Sequence, residues 1–304
     1  MLKVATHNLE FLFDEGTHTH SGKEWTYPEE FVTSRVEHFS KLISDIDADI
    51  MFVQELASER VLVRILEKVN KGYSYFIATP DANGVGNAVL YKAKECKCES
   101  IPAKTGLPVF VEGDQDTIGP RIWSRRDFIK ITTIYNGKPL YLISGHIKAR
   151  FAMPKKNQDG LISQNTPLDF TDGLIRSEFF RFSQVRKMRE LADDIFTADS
   201  EASVIVAGDL NCSEGEMIFK MLSGNPASQD YLGDAIQTLP EQDRFSVINS
   251  GRKRLLDHVL ISKALESEVA SVIVLNNDLP DTKDNSGTLS LIGSDHAPVV
   301  LSLK

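Results

Sequence analysis

SVIVAGDLNCSEGE, residues 203–216, poses the question on which the reading of this chain turns. An apolar run from Val204 to Ala207 stops abruptly at Gly208-Asp209-Leu210-Asn211. The run suits a buried strand. An acid and an amide just beyond it admit two readings. Asp, Asn and Gly are the usual turn formers. Layered α/β folds also place reactive groups where strands end. Partners for Asp209 and Asn211 elsewhere in the chain decide between the two.

Outward from this segment, helical and strand patterns alternate. Upstream, residues 176–198 read as a long amphipathic helix, and residues 126–149 as a hairpin turning at Asn136-Gly137. Residues 31–46 carry apolar side chains at helical spacing, and 58–70 form a second helix with Ser58 as its N-cap. The segment DIMFVQEL (49–56) is a buried strand ending in Gln54-Glu55. LKVATHNLEFLF (2–13), YSYFIAT (73–79) and GNAVLYK (86–92) are further strands. Downstream come a short helix near 214–222 and the strands LLDHVLIS (255–262), ASVIVLN (270–276) and HAPVVLSL (296–303). Residues 99–122 and 150–176 are expected to be long loops, which in compact domains often carry function. No Pro/Gly/Ser linker divides the two halves. One domain over residues 1–304, built of two packed sheets flanked by helices, fits best.

The bulk numbers exclude little but guide the rest. The chain has 304 residues, 41% hydrophobic and 25% charged, with a formal net charge of −9. That composition is ordinary for a globular protein. The acidic balance argues against a nucleic-acid binder only as a sum, because the distribution of charge matters more. Three cysteines, Cys96, Cys98 and Cys212, are no disulfide framework, and Cys96-Lys97-Cys98 lacks the second pair a zinc site needs. No secretory signal or membrane-spanning run is evident. The expectation is a soluble, cytoplasmic monomer.

Several strands end in a polar group able to reach a common site. They are Asn8, Glu55, His146, Asp209, Asn211, Asp257 and the pair Asp295-His296. Each has a bland alternative. Glu55 can favour the positive end of the following helix. His146 can be a satisfied buried histidine, Asp257 can face solvent, and Asp295 can cap a turn. Taken together, these alternatives leave unexplained why so many strands end alike. The set also makes chemical sense for phosphate-ester cleavage. Carboxylates hold a hard divalent cation, amides and imidazoles donate to phosphate oxygens, and histidine moves protons near neutral pH. A carboxylate beside that histidine fixes its tautomer, and Asp257 is the candidate for orienting His296. His18 and His20 are read as loop residues, and His7, His38 and His258 as lying away from the site.

The ordered set THNLEFLF, VQEL, GNAVLYK, GHIKAR, VAGDLN, LLDHVL and GSDHAPVV resembles the endonuclease/exonuclease/phosphatase superfamily, the DNase I-like fold, from about residue 3 to the C-terminus. The resemblance implies an α/β fold in a four-layer αββα sandwich and a Mg²⁺-dependent hydrolysis of phosphate esters, with Mn²⁺ as a substitute. It implies Glu55 as principal metal ligand, with Asn8 and Asp295 as further metal-site or supporting groups. It also implies that Asp209 orients or activates the attacking water, that Asn211 is a phosphate donor, and that His296 is the catalytic histidine partnered by Asp257. GHIKAR is similar to the NHLKSK-like stretch of bacterial DNases in the superfamily, which gives His146 a role at the phosphate. Those nucleases often carry Asn where this chain has Gly145.

Substrate is read from local charge. Lys148, Arg150, Lys155 and Lys156 follow His146 without an acid; Arg121, Arg125 and Arg126 form a second cluster; Arg252-Lys253-Arg254 precede the Asp257 strand. Three basic clusters beside motif segments suit a polyanion, although charge runs are commonly just solvated loops. Arg126 also occupies the place where DNase I-like nucleases carry a phosphate-contacting arginine. Trp123 and Phe151 are candidates for stacking on bases or for packing. The expectation is a DNA endonuclease. The alternative is a phosphatase or phosphodiesterase for a small or lipid ester, of inositol-phosphate or sphingomyelinase type. A non-catalytic binding module is disfavoured because every expected catalytic position is filled.

Overall fold

The computed structural model describes residues 1–20, 23–102, 107–108, 121–122, 126–153, 155–156, 162–163, 166–282 and 291–304. In chain order its framework is β1 (Leu2–Leu12), α1 (Glu29–Ile46), β2 (Ile50–Leu56), α2 (Glu59–Val69), β3 (Ser74–Ile77), β4 (Gly86–Tyr91), β5 (Lys97–Ile101), β6 (Phe128–Tyr135) and β7 (Lys138–His146). It continues with α3 (Pro167–Ala198), β8 (Ser203–Asp209), α4 (Met217–Ser223), β9 (Leu232–Asp234), β10 (Asp257–Ser262), β11 (Val269–Val274) and β12 (Val299–Leu303).

Alternation along the central strands builds the layers. Ile50 and Phe52 enter the core between the sheets, while Met51 and Val53 pack with α1 and α2. Likewise Ile205 and Ala207 face the other sheet, while Val204 and Val206 pack with α3 and α4. A strand with both faces covered must be apolar throughout, which is why these runs show no polar alternation. Two six-stranded sheets result, ordered β11-β12-β1-β2-β4-β3 and β9-β10-β8-β7-β6-β5. Each has one parallel pair, β1 with β2 and β7 with β8, and is otherwise antiparallel. This is the expected αββα sandwich.

Local signals account for most element ends. Ser58 Oγ accepts from Val61 N–H at 3.2 Å and caps α2 as expected. Asn136 and Gly137 adopt φ of 49° and 75°, the left-handed pair that a two-residue hairpin turn requires. Three expectations need correction. Helix α3 begins at Pro167, not near residue 176, because Thr166 and Asp169 form a capping box with Pro at the first turn. Strand β5 takes residues 99–101 out of the expected loop by pairing with β6. His18 and His20 belong to a hairpin, Gly16–His20 with Lys23–Tyr27, in which the His18 ring stacks on Phe13 at 4.5 Å. Trp123 and Arg125 lie outside the described residues, as do the side chains of Arg121, Lys155 and Lys156. Among the described residues, no helix is long and apolar enough to cross a membrane.

Candidate active site

The four parallel strands bring their C-terminal ends to one edge of the sandwich. Asn8 and Glu55 arrive there from one sheet, His146 and Asp209 from the other. Strand β10 runs antiparallel to β8, so it starts at this edge, with Asp257 paired to Asp209. His296 sits in the segment that leads into β12. The Asn8 amide donates to Asp209 Oδ2 at 3.0 Å and so joins the two sheets across 201 residues of sequence.

Asp209 is the hub. Its Oδ1 accepts from Asn211 N–H at 2.9 Å. Its Oδ2 lies 3.3 Å from His146 Nε2 and 3.8 Å from His296 Nε2. Two imidazoles thus converge on one buried carboxylate. His296 Nδ1–H donates to Asp257 Oδ2 at 2.7 Å, the pairing expected from sequence. Asp257 is fully buried, which excludes the solvent-facing alternative. On the other side, Arg126 Nη1 lies 2.8 Å from His146 Nδ1. A guanidinium only donates, so Nδ1 is the acceptor and the His146 proton sits on Nε2, towards Asp209. Asp81 Oδ2 holds Arg126 at 3.1 Å. The Asn211 amide donates to Ile147 O at 3.0 Å and lies 3.1 Å from His146 Nε2.

The backbone is shaped to allow this. Glu55 and Asn211 have φ of 60° and 49°, conformations that non-glycine residues rarely adopt and that recur at functional sites. Gly208 and Gly145 are paired across β8 and β7. A Cβ on Gly208 would lie 2.1 Å from the Gly145 carbonyl oxygen, so the Gly of Gly-Asp-Leu-Asn is a packing requirement. A Cβ on Gly145 would meet the Phe128 ring at 2.3 Å, which accounts for Gly where an Asn was the expected family residue.

Charge is tuned by burial and neighbours. Burial, with Asp257 nearby, pushes Asp209 up to about 7, against His296 and the Asn8 hydrogen bond. Burial opposes a charge on His296, but Asp257 and Asp209 outweigh it and raise its pKa well above the ordinary value. Burial, then Arg126 and His296, hold His146 well below its ordinary value. At neutral pH the site therefore contains a neutral and a cationic imidazole flanking a carboxylate that can exchange a proton.

Glu10 escaped the sequence reading. It follows Asn8 by two residues, so it shares that face of β1, and this spacing was the available signal. Strand β1 bulges between Asn8 and Leu12, where Glu10 and Phe11 have φ of 50° and 48°. Arg35 of α1 donates to the carbonyls of Leu9 and Phe11 and holds the bulge. Burial, then Asp295, raises Glu10 to about 8 despite Arg35. Of the other candidates, Asp295 lies 3.9 Å from His296 Nε2. Lys148 turns away: its ammonium donates to the carbonyls of Ala149 and Phe151 and to Ser177 Oγ. Arg150 pairs with Glu216. His7 and His258 lie off the site, as alternation predicts, yet His7 Nε2–H donates to His296 O at 3.0 Å and supports it from behind.

The chain belongs to the Endonuclease/Exonuclease/phosphatase family, whose pattern it matches over residues 5–296. Solved structures repeat the fold at low identity. D. rerio TDP2 complexed with single-strand DNA product is 17% identical, with a TM-score of 0.58, covering 100% of this chain and 98% of that one. The Bacteroides thetaiotaomicron mannosyl-6-phosphatase Bt3783 is 14% identical, with a TM-score of 0.59 and 100% of both chains covered. The human Nocturnin catalytic domain with bound sulfate is 16% identical, with a TM-score of 0.57, covering 100% of this chain and 94% of that one. No curated protein matches the sequence significantly.

Enzymes of this family generally use a divalent metal, and the residues present suit one. Glu10, Glu55 and Asp295 bring carboxylates close enough to raise the pKa of both glutamates, after burial. One Glu10 carboxylate oxygen is buried without a hydrogen-bond partner. An oxygen-rich acidic cluster, only partly balanced by Arg35 and by Arg126 at 3.9 Å from Glu55, fits a hard cation. Asp209, Asp257 and His296 also place ligand atoms within 4.8 Å of one another. There, however, His296 Nδ1 and Asp257 Oδ2 already share a proton at 2.7 Å, which closes that pair to a metal.

Proposed function

We propose that this protein is a Mg²⁺-dependent phosphodiesterase acting on DNA as an endonuclease, with residues 1–304 forming one catalytic domain. The observation that carries this reading is the convergence of His146 and His296 on Asp209, next to the Glu10–Glu55–Asp295 acid cluster. Asp209 takes the proton of the attacking water. As the new P–O bond forms, the bond to the leaving oxygen breaks on the opposite face; that oxygen keeps the bonding pair and takes a proton from solvent, to which Asp209 later returns its own. His296, kept cationic by Asp257, and His146, with its proton on Nε2, donate to the phosphoryl oxygens where charge develops. Asn211 adds an amide donor. Asn8, whose Oδ1 also accepts from Glu10 N–H at 2.9 Å, orients Asp209. Glu55, with Glu10 and Asp295, would hold Mg²⁺ or Mn²⁺, and such an ion supplies charge neutralisation at the phosphate.

Nucleic acid is favoured over a small ester by the likeness to the TDP2 structure solved with single-strand DNA product. The test is nicking of supercoiled plasmid with Mg²⁺ or Mn²⁺, with EDTA, and with His296→Ala. Metal-dependent nicking, with kcat lowered by about 10²–10⁴ in the variant, is expected. Release of phosphate from small esters without nicking would move the substrate to the small- or lipid-ester class. Near-wild-type turnover of His296→Ala would refute the catalytic assignment.

A further inference from the structure

Three segments leave the site and meet again in a groove beside it. Arg150 lies four residues beyond His146, Ser213 two beyond Asn211, and Arg254 three before Asp257. Together with Glu216, Asn249 and Arg252 they line a cavity of about 510 Å³. The run Arg252-Lys253-Arg254 is not a uniform charge patch. It is one strand of a hairpin, Val247–Asn249 with Arg252–Arg254, so alternate side chains part company. Lys253 lies over the Phe245 ring at 4.0 Å, while Arg252 and Arg254 face the groove. Ser250 and Gly251, at φ of 50° and 73°, make the tight turn that sets this alternation.

Three guanidinium groups thus face a single carboxylate. Glu216 is already engaged by Arg150 and by Arg181, and it accepts from Ser213 N–H at 2.6 Å. No ion pair engages Arg252 or Arg254 among the described residues.

We infer that this groove is a subsite for a neighbouring phosphate of the same polynucleotide strand, gripped by Arg252 and Arg254 while the scissile phosphate sits at His146 and Asn211. The inference rests on the nuclease reading above. A substrate with one phosphate has nothing to place there; a strand with several does, and guanidinium forks suit phosphate oxygens.

The experiment measures kcat and KM on single-stranded di-, tetra- and hexadeoxynucleotides and on bis(p-nitrophenyl) phosphate, over a salt series, for wild type and Arg252→Ala/Arg254→Ala. Both arginines lie at the surface of a hairpin, and a matched thermal midpoint checks folding. In the wild type, KM should fall with strand length. In the variant that dependence should flatten, the KM for hexanucleotide should rise by about 10-fold or more, and the salt slope should drop by roughly 1. Wild-type cleavage of oligonucleotides with KM and salt slope unchanged in the variant would overturn the subsite alone. Hydrolysis of the small diester with no oligonucleotide cleavage by wild type would overturn the nuclease reading and the subsite with it.

Discussion

A second buried histidine pair, behind the site, gives a quantitative test of how the Asp209–Asn211 turn is held. His258 Nε2–H donates to Cys212 O at 2.8 Å, and its Nδ1 lies 2.7 Å from Asp234 Oδ2. The other Asp234 oxygen accepts from Ile236 N–H at 3.1 Å. A carbonyl only accepts, so Nε2 carries a proton. Nδ1 carries the second, and the pair is an imidazolium with a carboxylate. Burial opposes this charge, but the attraction and hydrogen bond of Asp234 outweigh it and raise the His258 pKa. Both side chains are essentially inaccessible, so solvent screening does not discount the interaction. Asp234→Ala removes one partner and leaves a buried cation or an unpaired nitrogen, at a cost of about 3–5 kcal/mol. Asp234→Asn differs. The amide NH₂ donates to a neutral Nδ1, the amide oxygen keeps Ile236 N–H, and Nε2–H keeps Cys212 O. With every bond retained, the expected cost is about 1 kcal/mol. Urea unfolding near pH 7 reads the difference. With a slope of about 2–3 kcal/mol per M, Asp234→Ala should lower the midpoint by roughly 1–2 M and Asp234→Asn by under about 0.5 M. The pair also has a pH signature. Because the folded pKa is raised, its stabilisation is complete below about pH 6.5 and is lost as pH rises through the folded value. Asp234→Asn should lack that loss. Equal midpoints for the two variants would refute the ion-pair argument.

Two further outcomes follow from the site's supports. His7, held by burial at about 4, is neutral in the fold, so stability tied to it is present above about pH 6.5 and lost as pH falls towards 4. The unfolding free-energy difference between wild type and His7→Gln should therefore shrink by roughly 3 kcal/mol between neutral pH and pH 4, and a constant difference across a urea–pH series would contradict it. Gly208→Ala forces a methyl against the Gly145 carbonyl at a φ of 154°, and should destabilise by about 3 kcal/mol or more in the same assay; a midpoint within error of wild type would show that β7 and β8 separate freely.

The sequence by itself determined the strand and helix alternation, the cap of α2, the Asn136-Gly137 turn and, motif by motif, the set Asn8, Glu55, His146, Asp209, Asn211, Asp257 and His296. These are local. Continuous apolar runs, turn formers and capping groups act over a few residues, and the spaced motifs could be recognised one segment at a time. Even the separation of His7 from Asn8 and of His258 from Asp257 follows from strand alternation alone. Tertiary structure decided what depends on the partner. Lys148 looked like a phosphate ligand until its ammonium met two loop carbonyls and Ser177. Arg252-Lys253-Arg254 looked like one charge cluster until the hairpin sent Lys253 to Phe245. Glu10 has the spacing of Asn8's face, but the bulge that sets it there is held by Arg35, a residue of α1, and the His258 charge exists only because β9 sets Asp234 beside it. The physical reason is the same in each case. A side chain's reach and backbone set where it can point, but its charge state and its available donors are fixed by groups that are distant in sequence and adjacent only after the sheets have packed.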